Sequence, residues 1–444
     1  MVSLPIAASG YPDAVLAAAL LPCLLAPQQP PAADLQKELA RLVDLPTASE
    51  RQAAANALAK RNLATTAEWT EACAAFGTFE TKDPGPTRQA IDLRMLGKGD
   101  ANEVFLFVPQ GYDPSKRAPL LLWGHGAGGS GAREYLLWQN VADKTGLLVL
   151  APTSAGKEAG YAFSPLERDG ALAALRWARR TVNVDENAIF VGGWSQGGSL
   201  TWDLALRHPD LFAGVLPCVG GPRIELGARN NLRYLENVAH LPIRDLQGGQ
   251  DDPLLLMNLR LAFARLKKLA APDAILHEFA DRGHDADIGV VDWPAFFAKR
   301  RTPEPQRVVR LAADPQETRA SWVAITGFEP RVDVGVQPAV NADTWQRLDE
   351  AGKRALLLDR LAEYTARLVV QDKGQGHFVA DSKLVKSFEL LLSAPRVGKD
   401  GAVEVRWQNR TIRKKTLPDT AVLLEDFAER FDRTFLPVVR VVVP

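Results

Sequence analysis

The chain divides by the rhythm of its apolar positions. Between residues 86 and 300, short apolar runs alternate with longer helical stretches. Eight runs read as strands, at 91–95, 103–108, 120–123, 147–151, 189–192, 214–218, 243–248 and 275–279. The third to eighth are nearly continuous in apolar residues, as strands buried on both faces of a parallel sheet must be. Helical stretches lie between them, for example 170–180 behind Asp169 as a cap, and 254–269. Alternation of this kind predicts an α/β unit, a mostly parallel sheet with helices on both faces.

The flanks have other rhythms. Residues 34–79 are rich in Ala, Leu, Glu, Lys and Arg and read as helical, with Pro46 and Thr47 breaking the first helix and Ser49 capping the next. Residues 82–86 (KDPGP) form a linker. After the run RRTPEP at 300–305, strand-like runs at 308–311, 332–336, 368–371, 403–407 and 438–443 sit among Gly-containing turns, with helical stretches at 353–365 and 420–430. The expected organisation is therefore a leader and Pro-rich linker at 1–33 and a helical region at 34–85. A catalytic α/β domain at 86–300 and a β-rich domain at 301–444, with a sandwich as its candidate form, follow.

The apolar run at 14–26 (AVLAAALLPCLLA) has the length of a signal-peptide core and is too short to cross a bilayer. It predicts export to a periplasmic or extracellular location, although no Lys or Arg precedes it and Asp13 abuts it. Without such processing the protein would be cytoplasmic. No other segment approaches the ~20 apolar residues of a membrane span.

Composition narrows the function further. Of 444 residues, 46% are hydrophobic and 24% charged, which is globular composition. Lys plus Arg and Asp plus Glu both number 53, so no whole-chain basic field exists to hold nucleic acid. The cysteines, Cys23, Cys73 and Cys218, form no CxxC pair and no zinc-type cluster, and Cys73 and Cys218 are expected as separate buried thiols.

The sharpest chemical signal is Gly193-Trp194-Ser195-Gln196-Gly197-Gly198, directly after an apolar strand and directly before a helical stretch. That context is the one a nucleophile elbow needs: the serine sits on a strained turn and small neighbours let adjacent backbone approach. The amide of Gln196 then lies at a helix N-terminus, where a developing oxyanion is stabilised. A serine nucleophile needs a base. Of six histidines, His284 follows the last strand of the sheet on a polar loop, while His277 lies inside a strand and His377 in the C-terminal region. An acid must orient the imidazole. Asp251 follows the strand ending at Gly248, with adjacent Asp252 as the alternative acid. A metal reading of that pair lacks further ligands nearby.

The loop Gly124-His125-Gly126-Ala127-Gly128-Gly129-Ser130-Gly131 contains the letters of a dinucleotide fingerprint. A nucleotide site would need an acid at the end of the next strand, and that strand ends Leu150-Ala151-Pro152. The loop reads better as an oxyanion loop, with the amide of Ala127 opposite that of Gln196. Trp123, His125, Trp138, Tyr161 and Trp194, with Phe163, are candidates for lining a substrate pocket.

With these residues in place, 86–300 resembles the α/β-hydrolase superfamily, nearest to its prolyl-oligopeptidase-like and polyhydroxybutyrate-depolymerase-like (feruloyl-esterase-like) members. The resemblance rests on His125-Gly126 after strand three, Ser195 after strand five, Asp251 after strand seven and His284 after strand eight, and on the chain order Ser, acid, His. It implies a serine hydrolase of carboxylic esters acting on a small or oligomeric ester, with no cofactor. A serine peptidase of prolyl-oligopeptidase type and a non-catalytic binding protein on the same scaffold are the alternatives, since this fold hosts many chemistries.

Overall fold

The computed structural model describes residues 32–92, 101–153, 163–225 and 227–444. The apolar run at 14–26, Cys23, residues 93–95 of the first expected strand and Tyr161 lie outside them.

Three helices come first: α1 (Ala32–Val43), α2 (Ala48–Lys60) and α3 (Thr66–Ala74). Two capping boxes set their starts, Thr47 with Glu50 and Thr65 with Glu68. Thr47, not Ser49, is thus the cap of α2, because Glu50 stands three residues after Thr47 and closes the reciprocal pair.

The central sheet has eight strands: β1 (Gly85–Asp92), β2 (Ala101–Val108), β3 (Ala118–Gly124), β4 (Leu148–Pro152), β5 (Val184–Trp194), β6 (Gly214–Cys218), β7 (Ile243–Gly248) and β8 (Ala274–Phe279). Their order is β1-β2-β4-β3-β5-β6-β7-β8. β2 is antiparallel to both its neighbours and every other adjacent pair is parallel. The mostly parallel sheet with flanking helices expected from the sequence is present.

Among the described residues, five α-helices belong to this unit: α4 (Gln139–Thr145), α5 (Pro165–Thr181), α6 (Gln196–Arg207), α7 (Pro253–Lys268) and α8 (Trp293–Phe297). Strand periodicity sorts the core into two halves. Leu120, Leu122, Ile189 and Val191 face α5, α6 and α7, while Leu121, Trp123 and Phe190 face α4 and α8. α5 begins behind Ser164, which forms a capping box with Glu167 while Pro165 fills the first turn. The expected cap Asp169 therefore lies inside the helix.

The C-terminal segment holds β9 (Arg307–Ala312), β10 (Arg319–Ala320), β11 (Val323–Phe328), α9 (Ala342–Gln346), α10 (Glu350–Leu361), β12 (Ala366–Asp372), β13 (His377–Lys383), β14 (Val385–Leu392), β15 (Ala402–Trp407), β16 (Arg410–Lys415), α11 (Thr420–Arg430) and β17 (Val439–Val443). The strands form two sheets, β10-β11-β14-β17 and β16-β15-β13-β12-β9. Phe388, Leu390 and Val441 of one meet Leu368, Phe378 and Trp407 of the other in one core, with Phe388 and Trp407 edge to face at 5.1 Å. The run at 332–336, expected as a strand, is a turn: Arg233 takes the carbonyls of Asp333 and Val334, and the Asp333 carboxylate takes the amide of Gly335. Those backbone groups are thus committed elsewhere than to a ladder.

The same core accepts Leu39, Leu42, Trp69 and Phe76 from the first three helices, and Leu423 and Phe427 from α11. The two ends of the described chain therefore share one apolar interior. Phe76 packs edge to face on both Phe427 and Phe431 at 5.5 Å. Polar ties join this composite unit to the central sheet. Arg433 donates to Glu186 and Asn183 next to and within β5, and to the Phe76 carbonyl. Arg176 of α5 bonds the carbonyls of Val43, Ala428 and Glu429. Buried Asp203 of α6 pairs with Arg168 and Arg207, and both arginines also pair with Glu317.

Candidate active site

All four sequence-selected positions lie past the C-terminal ends of parallel strands: Ala127 after β3, Ser195 after β5, Asp251 after β7 and His284 after β8. Loops at that edge of an open sheet converge on one crevice. Ser195 has φ 56° and ψ −110°, a conformation costly for any residue with a Cβ, at the junction of β5 and α6. Its amide is tied to the carbonyl of Cys218 at 2.8 Å, and its carbonyl accepts the amide of Ser199 at 3.1 Å. The turn closes only because Gly197 lies against β3: a Cβ there would sit 2.0 Å from the Gly124 carbonyl oxygen. The Gln196 amide is the first of α6 and has no acceptor within the helix ladder.

His284 Nε2 is 2.8 Å from Ser195 Oγ, and His284 Nδ1 is 2.9 Å from Asp251 Oδ2. Asp251 Oδ2 also accepts Gln247 Nε2 at 2.7 Å, and Asp251 Oδ1 accepts the Asp252 amide at 2.7 Å. Burial raises the Asp251 carboxyl pKa, but the donors from Asp252, His284 and Gln247 outweigh it and hold the group below its ordinary value. An ionised acid therefore faces the imidazole. Asp252 is the N-cap of α7, its carboxylate accepting the Leu254 amide at 2.8 Å. Geometry thus separates the adjacent acids. Asp251 bonds His284, and Asp252 bonds a helix start.

Ser195, His284, Ala127 and Gln196 open onto a cavity of about 320 Å³. Its apolar wall is Val219, Ile224, Leu254 and Leu255, and its polar wall includes Arg223, Asn258 and Arg354. Most of the expected pocket residues lie elsewhere. Trp123 and Trp138 are fully buried and pack edge to face at 5.0 Å in the core beneath α4 and α8. Trp123 Nε1 donates to Glu134 at 2.8 Å. Trp123 belongs to the face of β3 that points into the interior, and Trp138 immediately precedes α4. His125 is buried with Nδ1 2.7 Å from the Gly126 carbonyl oxygen, so it shapes the loop rather than the cavity. Trp194 packs at the margin of the same core as Trp123. Phe163 is buried under Arg223, whose guanidinium lies 5.3 Å from its ring centre. The residues missed from sequence, Ile224, Leu254, Leu255 and Arg354, carry no motif. Leu254 and Leu255 were legible only as the start of a helix. Cys73 and Cys218 are both free and buried.

No family model matches the chain. Over 142 residues it is 30% identical to an acetylxylan esterase of Coprinopsis cinerea, a stretch covering 29% of this chain and 37% of that protein. Over 97 residues it is 34% identical to a poly(3-hydroxybutyrate) depolymerase of Ralstonia pickettii, covering 19% and 20% of the two chains. The chain thus spans well under half the length of either curated relative. A solved thermostable esterase superposes with a TM-score of 0.42 at 20% identity, over 49% of this chain and 63% of that one.

Proposed function

We propose that this chain, an α/β-hydrolase by fold, cleaves carboxylic esters through an acyl-enzyme formed on Ser195. The observation that carries the reading is the continuous hydrogen-bonded line from Ser195 Oγ through His284 to Asp251, at 2.8 Å and 2.9 Å. Ser195 Oγ attacks the acyl carbon and gives its proton to His284 Nε2. Asp251, ionised and fixed by three donors, stabilises the imidazolium and holds its orientation. The amides of Gln196 and Ala127 donate hydrogen bonds to the developing oxyanion. His284 then returns the proton to the leaving alcohol, and water, activated by the same imidazole, releases the acid.

Ester rather than amide is the favoured bond, because both curated relatives bear the names of ester hydrolases over the stretch they share with this chain. The test is turnover of a para-nitrophenyl ester by the purified protein and by Ser195→Ala. Loss on the order of 10⁶-fold in kcat is expected for the variant, together with loss of labelling by a fluorophosphonate probe. Equal turnover by both proteins would overturn the assignment. A higher kcat/KM on a matched peptide amide than on the ester would move the reading to a peptidase.

A further inference from the structure

The cavity at Ser195 is not built from the hydrolase unit alone. Arg354 lines it, and Arg354 lies on α10 in the C-terminal segment. α10 is docked firmly on α7. Leu358 is buried in the hydrolase core, Arg265 Nη2 pairs with Asp359 Oδ1 at 2.7 Å, and Arg354 Nη1 donates to Asn258 Oδ1 at 2.7 Å. Asn258 is itself buried and anchored by donating to the Pro222 carbonyl at 3.1 Å. The guanidinium is therefore held in place by a side chain with no freedom of its own.

The other charges around the cavity are committed. Asp251 serves His284, Gln247 and the Asp252 amide; Asp252 caps α7; Glu225 lies 3.6 Å from Arg223. Arg354 differs. Its hydrogen bond goes to a neutral amide, its Nε–H is enclosed without an acceptor, and among the described residues no carboxylate stands within ion-pair distance of it. A fixed cation so poorly satisfied by its own protein is a receptor for an oxyanion, since charge-assisted hydrogen bonds to a guanidinium are among the strongest available. It shares a cavity of about 320 Å³ with the nucleophile, a size that suits a small ester.

We propose that Arg354 binds a carboxylate carried by the substrate, so that the preferred ester bears an acidic group. The appended C-terminal segment thereby supplies the specificity of a site whose chemistry comes from the sheet. The proposal rests on the hydrolase reading of Ser195.

Two matched pairs of probes test it, one acidic on the acyl side and one on the leaving group: mono(para-nitrophenyl) adipate against its methyl ester, and para-acetoxybenzoate against its methyl ester. The expected result is a higher kcat/KM for the acid in one pair. That acid-to-neutral ratio should fall about tenfold or more in Arg354→Gln, mainly through KM. Arg354→Lys, which keeps the charge, should retain part of the ratio. A wild-type ratio at or below one in both pairs, or a ratio unchanged in Arg354→Gln, overturns the proposal while leaving ester hydrolysis intact. No turnover of any of the four esters removes the hydrolase reading and the proposal with it. Because the readout is a ratio within each protein, a general loss of folded enzyme does not imitate it.

Discussion

Two carboxylates one residue apart do different work at the end of β7. Asp251 meets His284 Nδ1, while Asp252 accepts the Leu254 amide at the start of α7. Asp251→Asn should lower kcat on the order of 10⁴-fold, because the amide can present a donor where the imidazole needs an acceptor. Asp252→Ala should cost about 1 kcal/mol of stability through the lost cap and far less in rate. Steady-state kinetics and urea unfolding of both variants check the pair, and a rate loss in Asp252→Ala as large as that in Asp251→Asn would reverse the roles. At this scale the sequence was legible wherever a backbone motif announces a side chain: Ser195 by its glycines, His284 and Asp251 by their places after strands. It was silent on which acid of a pair faces inward, since a one-residue step is invisible without the path of the loop. It also misled on aromatics, because Trp123 and Trp138 lie near the site in sequence yet point into the core. Arg354 had no signal at all, being brought to the site by a helix far beyond the catalytic motifs in the chain.

The elbow joins three elements at backbone contact. Gly197 of α6 lies on the Gly124 carbonyl of β3, and Gly193 at the end of β5 lies on Gly197. A methyl group at Gly197 has only backbone to displace. Gly197→Ala should therefore destabilise by about 1–3 kcal/mol or more and also lower kcat, because the turn that aims Ser195 and the Gln196 amide must move. Urea midpoints with ester kinetics read both effects, and an active variant of unchanged stability would contradict the packing. Elements buried on both faces, such as β4 and β6, were plain in the sequence because every position is apolar. β13, β14 and β16 were not singled out. Buried and exposed residues alternate in β13 and β16 mostly faces water, so the apolar signal is weak in both, whereas β14 ends in the buried run Leu390-Leu391-Leu392. The turn at 332–336 shows the converse, an apolar run whose backbone is claimed by a distant arginine.

Over the whole molecule, the central sheet is clasped by a unit made of both flanks, and much of the clasp is ionic. His208, at the end of α6, lies close to Arg310, Asp210, Arg430 and Arg168. Burial first, and then those cations, bring its pKa down to about 3. The unfolded chain therefore binds a proton there between about pH 6.5 and pH 3 that the native protein does not. Stability from this residue is full above pH 6.5 and declines as the pH falls. Asp203 acts in the same direction: burial raises its pKa, Arg207 and Arg168 outweigh that, and the resulting stability is lost as the pH falls through the lowered value. Urea midpoints should fall on acidification below pH 6.5, and His208→Gln should flatten the decline between pH 6.5 and pH 4; an identical slope would exclude His208 as its source. The fragment 86–300 should be insoluble or readily proteolysed when expressed alone, since it lacks α10, whose Leu358 belongs to its core, and Glu317, which neutralises Arg168 and Arg207.

The shared interior of the two flanks also sets a timetable. Leu39, Leu42, Trp69 and Phe76 leave the ribosome before their partners at 308–443. At ordinary elongation rates of about 5–20 residues per second, roughly 10–80 s separate the two. Throughout that interval the first helices lack the C-terminal half of their core, so they complete their packing only after a segment more than two hundred residues downstream has been made.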